Sequence, residues 1–354
     1  MSKKPRLGFI GVGMMGQIAH LANYARLRDE GECEIVGITD LKPLLARAVA
    51  EKYHVPRIYE NATELLQDPS IDAVVCIQQW PNNYALVKQI LLAGKSVMTE
   101  KPMVGRLDEA QELVALAQEK GVLYAVGFMK RYDAGVEVAK HLFEEFRHNG
   151  ELGNLLEVDA VCDGGDWIQN AGAPVIADDP TPLPPLQPTY PDRCTTPEQR
   201  AAYGYLVNIF AHTVNFCHHF LGKEMRVYAA QFRRDRGMQS LLRSDDVLVT
   251  VHGATSASHE WREYTTFNFE RGHLMVKTPV PLNRQQSARV YLTRPGEQGF
   301  VTTEYHAPVD WAFFREAQGF VRALAGNVPL RAPAETCLWD VRVMEQIIDI
   351  AEVI

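Results

Sequence analysis

The chain has 354 residues, of which 46% are hydrophobic and 23% charged, a composition typical of globular proteins and enough for about two domains. Its net charge of −8 argues against a general nucleic-acid or anionic-membrane binder, because such proteins carry excess basic charge. The six scattered cysteines contain no C-x-x-C pair, which predicts reduced thiols in a cytoplasmic protein without a metal site. No stretch approaches the roughly 18 apolar residues of a membrane span, so no membrane partner is expected.

The first forty residues follow the order of a dinucleotide-binding βαβ unit. The apolar run 7–10 predicts a strand, residues 11–16 read G-x-G-x-x-G, and residues 17–22 predict a helix. A second apolar run, 33–39, ends at Asp40. A strand, a glycine turn, a helix, a strand and an acid in this order predict a site for NAD. The alternative is a turn that merely connects strand and helix.

Each glycine of the turn has a mechanical role in this interpretation. Gly11 allows the tight turn, Gly13 lets the backbone approach a pyrophosphate, and Gly16 lets the helix pack closely on the strand. The helix N-terminus at Met14 and Met15 offers unpaired N–H groups and a positive dipole end to the phosphates. All five residues are therefore predicted to bind the cofactor.

Asp40 is predicted to distinguish NAD from NADP. Its carboxylate can accept hydrogen bonds from a ribose 2′-hydroxyl and would repel a 2′-phosphate. The nearby Lys42 weakens this preference slightly. The alternative role for Asp40 is that of a helix N-cap.

Alternating strands and helices up to Gly127 predict an α/β Rossmann domain over residues 1–127, with a doubly wound parallel sheet. The predicted strands after Asp40 are 71–77, 96–99 and 122–126, and the predicted helices are 43–53, 62–66, 81–93 and 107–120. Ligands of such sheets bind at the carboxyl ends of the strands.

The remaining chain, 128–354, predicts an α+β domain with a largely antiparallel open sheet, for substrate binding and oligomerisation. Predicted helices are 133–147, 197–221, 311–325 and 333–353, and predicted strands are 155–162, 226–233, 246–252, 263–270, 273–277 and 288–292. A proline-rich insert at about 163–196 is longer than ordinary loops, and we interpret it as a lid or an arm reaching a neighbouring subunit. An open sheet face needs covering, which favours a homo-oligomer.

Two positions offer the groups that a hydroxyl dehydrogenase needs, a base and a cation for the developing oxyanion. Lys101 stands between Glu100 and Pro102 at the end of a predicted strand, and both Glu100 and Lys101 are predicted to bind the cofactor. The alternative for Lys101 is a surface lysine before a helix. Asn208 and His212 are four residues apart and share one helix face. A purely structural histidine is the alternative for His212.

Four signatures resemble the glucose–fructose oxidoreductase / inositol dehydrogenase family, and together they cover almost the whole chain. They are the glycine turn 11–16, Glu-Lys-Pro at 100–102, Gly-Phe-Met-Lys-Arg-Tyr-Asp at 127–133, and the helix running from His212 to Leu221-Gly222. The run at 127–133 looks especially like that of the inositol and sugar dehydrogenases, so the resemblance implies a sugar, glycoside or cyclitol substrate.

The resemblance also implies roles for single residues. Lys101 corresponds to the family lysine that contacts the reacting hydroxyl and the nicotinamide ribose, and His212 to the general base. Asn208 stands where many members carry aspartate, so this chain lacks the charge that would stabilise an imidazolium. Lys130, next to Arg131, corresponds to a cationic substrate contact, the alternative being a solvated charge at a helix start.

The segment 163–170 follows a predicted strand directly and combines Asp163, Asp166 and Trp167. Carboxylates beside an aromatic ring suit a polyol, which offers hydroxyls and an apolar face. An ordinary loop is the alternative. With Lys130, Arg131, Asn208 and His212, these residues complete the predicted substrate contacts.

The sequence thus predicts an NAD-dependent oxidoreductase acting on a secondary ring hydroxyl of a sugar, glycoside or cyclitol, with oxidation at C3 of a glycoside as a refinement. Two alternatives remain. One is a redox-assisted glycosidase that recycles bound NAD, and the other is a non-catalytic NAD(H)-sensing protein.

Overall fold

The computed structural model describes residues 4–234, 236–255 and 260–354. Contacts divide the chain into two compact units. The first comprises residues up to 127 together with 171–189 and 313–338, and the second comprises 128–170, 190–312 and 339–354.

The first unit contains a five-stranded parallel sheet. Its strands are β1 (Arg6–Ile10), β2 (Glu34–Thr39), β3 (Ala73–Cys76), β4 (Ser96–Glu100) and β5 (Tyr124–Gly127), in the order β2-β1-β3-β4-β5. The helices are α1 (Ala22–Asp29), preceded by a π-helical turn Gly16–Leu21, and α2 (Pro43–Tyr53), α3 (Ala62–Gln67), α4 (Asn83–Leu92) and α5 (Leu107–Lys120). The predicted doubly wound parallel sheet is confirmed.

Burial explains why these strands could be predicted from the sequence. Every residue of β3 and β4 is buried, because a parallel sheet is covered on both faces, and such strands appear as continuous apolar runs. The strand order reverses between β1 and β3, which makes a crevice at the carboxyl ends of these strands. The glycine turn follows β1 at this crevice.

Two later segments belong to the first unit, although both were predicted to be part of the second domain, 128–354. Residues 313–338 continue the structure beside β5, where the Val126 amide donates to the Ala332 carbonyl at 3.0 Å. The proline-rich segment 171–189 also belongs to this unit. Neither assignment follows from local pattern, because both depend on contacts with residues far away in the chain.

The second unit contains a nine-stranded sheet with helices on one side. Its strands are β6 (Leu155–Asp163), β7 (Arg226–Arg233), β8 (Gly237–Ser244), β9 (Val247–Ala254), β10 (Arg262–Phe269), β11 (Gly272–Lys277), β12 (Arg289–Gly296), β13 (Gly299–Tyr305) and β14 (Glu352–Val353). The helices are α6 (Ala134–Asn149), α7 (Pro197–Tyr205) and α8 (Ala211–Leu221), and the chain closes with α9 (Ala312–Leu324) and α10 (Ala334–Ile350). Residues 339–350 of α10 belong to this unit.

The order of this sheet is β13-β12-β11-β10-β6-β9-β8-β7-β14. Six of its eight strand pairings are antiparallel, and β6–β9 and β7–β14 are parallel. The predicted largely antiparallel sheet is therefore confirmed. The strands β8, β13 and β14 were not predicted. The buried face of β8 includes Ser240 and Ser244, β13 is almost wholly exposed and β14 has two residues, so none of them carries a clear apolar alternation.

One face of the sheet is covered by α6 and α8, whereas Leu241 and Leu248 on the neighbouring strands β8 and β9 are 54% and 62% exposed. Polar pairs accompany them, including His252 to Asp159 at 2.9 Å. The expected oligomerisation through this face stays a prediction.

All six cysteines are buried thiols outside any disulfide bond. Within the described residues, no helix has the length and apolar character to cross a membrane. The same residues contain no group of three or more histidine, cysteine, aspartate or glutamate side chains with the arrangement of a metal site.

Candidate functional site

The glycine turn has the geometry that its sequence predicts. Gly11 adopts φ +90°, and a Cβ there would lie 2.1 Å from the Ile77 carbonyl oxygen. A Cβ on Gly16 would lie 2.5 Å from the Gly11 carbonyl oxygen, so helix and strand approach too closely for a side chain. A Cβ on Gly13 would meet nothing within 4 Å. The open space at Gly13, beside a helix that begins at Met14, fits a pyrophosphate.

Asp40 is held at the end of β2 by the backbone. Its carboxylate accepts from the Val12 amide at 2.7 Å and from the Lys42 amide at 2.9 Å. Two backbone donors leave acceptor capacity for further hydroxyls, since a carboxylate has about four lone-pair sites. The N-cap of α2 is Lys42, so the alternative N-cap role for Asp40 does not apply.

A cavity of about 550 Å³ opens beside Asp40 in the first unit. The cavity is lined by Thr39 and Leu41 at the end of β2, Asn61 at the start of α3, Gln78 and Pro81 after β3, and Pro184, Pro185 and Gln187 from the proline-rich segment. Its apolar walls and its acidic edge suit an adenosine. The first unit therefore fits a dinucleotide, with the pyrophosphate at Gly13 and the adenosine ribose at Asp40.

Lys101 follows β4 directly and is half-buried. The Lys101–Pro102 peptide bond is cis. The Lys101 amide donates to the carboxylate of Glu100 at 3.1 Å, which fixes the backbone next to the lysine. The predicted lysine therefore stands at the edge of the sheet where the crevice opens.

Glu100 belongs to a buried polar cluster that the sequence analysis did not predict. His20 Nε2 lies 2.8 Å from the Glu100 carboxylate, and both side chains are buried. Burial alone would raise the pKa of Glu100, but the hydrogen bond with His20 and the nearby Lys101 charge outweigh it and lower the pKa. His20 lies four residues after Gly16 on the same helical stretch, which is the one local signal that connects it to the turn.

Glu316 lies in the same unit as Glu100 and is 2% exposed. Neither of its carboxylate oxygens has a hydrogen-bond partner within the described part of the chain. Burial, reinforced by the charge of Glu100, raises the pKa of Glu316 well above its usual value. The folded protein therefore holds a proton on Glu316 at pH values where the unfolded chain releases it.

Glu316→Gln is expected to reduce the loss of stability with rising pH. Because the pKa of Glu316 is raised on folding, its protonation contributes fully to the free energy of unfolding below about pH 4.3, where folded and unfolded chains are both protonated. This contribution is lost progressively as pH rises towards the pKa of the folded state. The variant should therefore gain on the wild type by roughly 1–3 kcal/mol between pH 5 and pH 8, measured by urea unfolding. Glu335→Gln, at an exposed position, is the control, and a pH-independent difference for Glu316→Gln would contradict the protonated state.

The second unit contains the predicted helix with Asn208 and His212. The helix runs continuously from Pro197 to Leu221, but residues Leu206–Phe210 form a π-helical turn. Asn208 is exposed within this turn, and His212 is half-buried one residue into α8. The His212 ring lies edge-to-face against Phe128, with 5.9 Å between ring centres. Single π-helical turns frequently occur at functional sites, which agrees with the predicted role of this helix.

A second histidine of this helix, His218, has a carboxylate partner. His218 Nδ1 lies 2.6 Å from the Asp340 carboxylate, and both side chains are buried. Asn215 joins this pair to Arg131 by donating to Asp340 and accepting from Arg131 Nε at 2.8 Å. Arg131, predicted to contact substrate, is thus a buried member of a polar network that the sequence analysis did not foresee.

Lys130, predicted as a cationic substrate contact, forms a buried ion pair with Glu263. Lys130 is 7% exposed and Glu263 is 5% exposed. Glu263 also accepts from Trp261 Nε1 at 3.2 Å and from Thr278 Oγ1 at 2.9 Å. Because Lys130 is buried, the alternative of a solvated charge at a helix start does not describe it. Removing one partner of such a buried pair is strongly destabilising.

The three residues predicted in the segment after β6 have different surroundings. Asp163 accepts from Arg262 Nε at 2.8 Å and from the Ala254 amide at 3.1 Å. Asp166 accepts from the Ile168 amide at 3.2 Å, a local turn contact. Trp167 is 42% exposed. Of the three, Trp167 therefore offers the most surface to a ligand.

The glycine turn, the acidic end of β2 and the cavity define the first unit as a dinucleotide-binding domain. Residues 5–128 match a family model described as an oxidoreductase family with an NAD-binding Rossmann fold. The match covers residues 5–128 and agrees with the resemblance to the glucose–fructose oxidoreductase / inositol dehydrogenase family that the motifs indicate.

Curated relatives resemble part of the chain. An inositol 2-dehydrogenase/D-chiro-inositol 3-dehydrogenase of Lacticaseibacillus casei is 36% identical over 138 residues, which are 38% of this chain and 39% of that protein. A trans-1,2-dihydrobenzene-1,2-diol dehydrogenase of Bos taurus is 27% identical over 175 residues, 47% of this chain and 50% of that protein. The similarity spans half or less of the length of each of these relatives.

Solved structures resemble the whole chain in fold. KijD10, a 3-ketoreductase from Actinomadura kijaniata in complex with NADP and TDP-benzene, has a TM-score of 0.76 at 19% identity and covers 99% of both chains. UDP-N-acetylglucosamine 3-dehydrogenase GnnA from Acidithiobacillus ferrooxidans has a TM-score of 0.71 at 17% identity and covers 98% of this chain and 97% of that one. At these identities the comparison shows the fold.

Proposed function

We propose that the protein is an NAD-dependent oxidoreductase that acts on a secondary ring hydroxyl of a sugar, glycoside or cyclitol. The observation that carries this proposal is the position of Lys101. It follows β4 directly, its backbone amide is bound by the Glu100 carboxylate, and β4 lies in the same sheet as β1, which leads into the glycine turn. The names of the relatives agree with it, because inositols and dihydrodiols are cyclic compounds with secondary hydroxyls.

The dinucleotide, when bound, supplies a nicotinamide ring that accepts or donates a hydride. The chain itself supplies the proton chemistry. The Lys101 ammonium stabilises negative charge that develops on the substrate oxygen, and His212 takes the hydroxyl proton. Asn208 can orient an imidazole or bind a hydroxyl, but it carries no charge, so more of the stabilisation falls to Lys101.

We propose NAD as the cofactor in preference to NADP. Asp40 presents negative charge to the ribose edge of the cavity, which disfavours a 2′-phosphate. Lys42, the nearby cation, donates through Nζ to the Asp179 carbonyl at 2.7 Å. Its charge is therefore engaged by the proline-rich segment, and it is less able to attract a phosphate.

The test is NADH formation, read spectroscopically, across a panel of inositols, free sugars and O- or C-glycosides. We expect turnover with at least one ring polyol and a loss of about 10²–10⁴-fold in His212→Ala, the range for removal of a general base. His148→Ala, an exposed histidine at the end of α6, is the control. A panel without NADH formation, in protein that binds NADH, would contradict the simple dehydrogenase.

A second candidate, a redox-assisted glycosidase that recycles its cofactor, is favoured by one observation. The proline-rich segment forms part of the wall of the adenosine cavity, which suits a cofactor that stays bound. Released sugar from a glycoside without net NADH would support this candidate.

A further inference from the structure

The proline-rich segment 171–189 is attached to the first unit by side-chain hydrogen bonds at three points. The first lies at Val175, whose amide donates to the Gln17 side chain at 2.7 Å and whose carbonyl accepts from it at 3.1 Å. Gln17 also donates to the Val12 carbonyl at 2.9 Å and is 1% exposed. This attachment therefore joins the segment to the glycine turn itself.

The second attachment is at Asp179, beside the acidic end of β2. Its carboxylate accepts from the Leu44 amide at 2.6 Å, near the start of α2. Its carbonyl accepts from Lys42 Nζ at 2.7 Å. A carboxylate that binds amides at a helix start is also favoured by the helix dipole.

The third attachment is at Thr189. Its hydroxyl donates to the Glu109 carboxylate at 2.9 Å, near the start of α5. Its carbonyl lies 2.4 Å from the position that a Cβ on Gly105 would occupy. Only glycine permits this close approach of the two backbones.

Between the second and third attachments the segment passes over the cavity beside Asp40. Pro184, Pro185 and Gln187 line that cavity together with Thr189. Six of the 19 residues in 171–189 are proline, which fixes φ at each of them and lowers the entropy cost of holding the segment in place. A stiff wall can thus be held by few contacts.

We propose that residues 171–189 form a strap that encloses the adenosine half of the dinucleotide and retains the cofactor between turnovers. The inference rests on the dinucleotide site of the proposed function. Dissociation of the cofactor then requires release of the attachment at Asp179 or Thr189, so the strap sets the rate of release. The segment serves the cofactor of its own chain.

The test is the rate of NADH dissociation, measured by stopped-flow fluorescence when excess NAD displaces NADH. Asp179→Ala removes the carboxylate that accepts from the Leu44 and Thr181 amides, and Thr189→Ala removes the hydroxyl that donates to the Glu109 carboxylate. Each should accelerate dissociation by about tenfold or more, the scale of such a bond. Asp178→Ala, at an exposed neighbouring position, is the matched control and should leave the rate unchanged.

Limited proteolysis provides a second measurement that does not depend on activity. Saturating NADH should protect residues 171–189 from cleavage in the wild type, and less so in the two variants. If NADH binds but both variants release it at the wild-type rate, the proposed role of the strap is wrong, whereas the proposed dinucleotide site is supported. If the wild type binds neither NADH nor NADPH, the proposed function fails together with the strap.

Discussion

Replacement of Lys101 by methionine is expected to lower kcat by about 10²–10⁴-fold. Methionine keeps a long apolar stem, so packing around this half-buried position changes little while the ammonium is lost. The loss follows because Lys101 is the group proposed to stabilise negative charge on the substrate oxygen. The measurement is steady-state NADH formation with the best substrate from the panel.

Cofactor binding separates a catalytic effect of this change from a structural one. Lys101 is not among the residues that line the adenosine cavity or form the glycine turn, so the dissociation constant for NADH should rise less than about tenfold. Lys120→Met, at an exposed site at the end of α5, is the matched control and should retain full activity. Wild-type kcat in Lys101→Met would rule out the proposed role of the charge.

Gly11→Ala and Gly13→Ala are expected to fail in different ways. Alanine at 11 would be strained at φ +90° and would clash with the Ile77 carbonyl oxygen, so the free energy of unfolding should fall by at least about 3 kcal/mol. Alanine at 13 meets open space, so stability should change by less than about 1 kcal/mol. Its Cβ would instead occupy the space assigned to the pyrophosphate, and NADH affinity should fall by about tenfold or more.

Urea unfolding and NADH titration distinguish the two outcomes. Gly121→Ala is the control for strain alone, because Gly121 has φ +63° and a Cβ there meets nothing within 4 Å. It should cost about 1 kcal/mol and leave NADH binding intact. Wild-type NADH affinity in Gly13→Ala would contradict the placement of the pyrophosphate.

The class of the first unit could be predicted from local sequence patterns. Gly11 and Gly16 could be interpreted correctly because their constraints are local, namely a positive φ and a close helix–strand contact within six residues. The buried strands β3 and β4 could be predicted for a similar reason, since parallel strands covered on both faces are continuous apolar runs. Lys101 was placed at the crevice by its position directly after β4.

The combination of distant polar groups depends on long-range packing and could not be predicted from local patterns. His20, Glu100 and Glu316 belong to one unit although more than two hundred residues separate Glu100 from Glu316, and no local periodicity connects them. The pairing of Lys130 with Glu263 likewise joins residues more than a hundred positions apart. The type of a charged residue is known from the sequence. Whether that residue contacts solvent, substrate or a buried partner depends on long-range packing.

The proline-rich segment shows this difference most clearly. Its composition indicated a stiff, irregular stretch, because prolines remove backbone donors and fix φ. Without helix or strand periodicity it carried no signal of what it packs against. The hydrogen bonds to Gln17, Leu44 and Glu109 place it on the first unit, and these partners become neighbours only after the parallel sheet has formed.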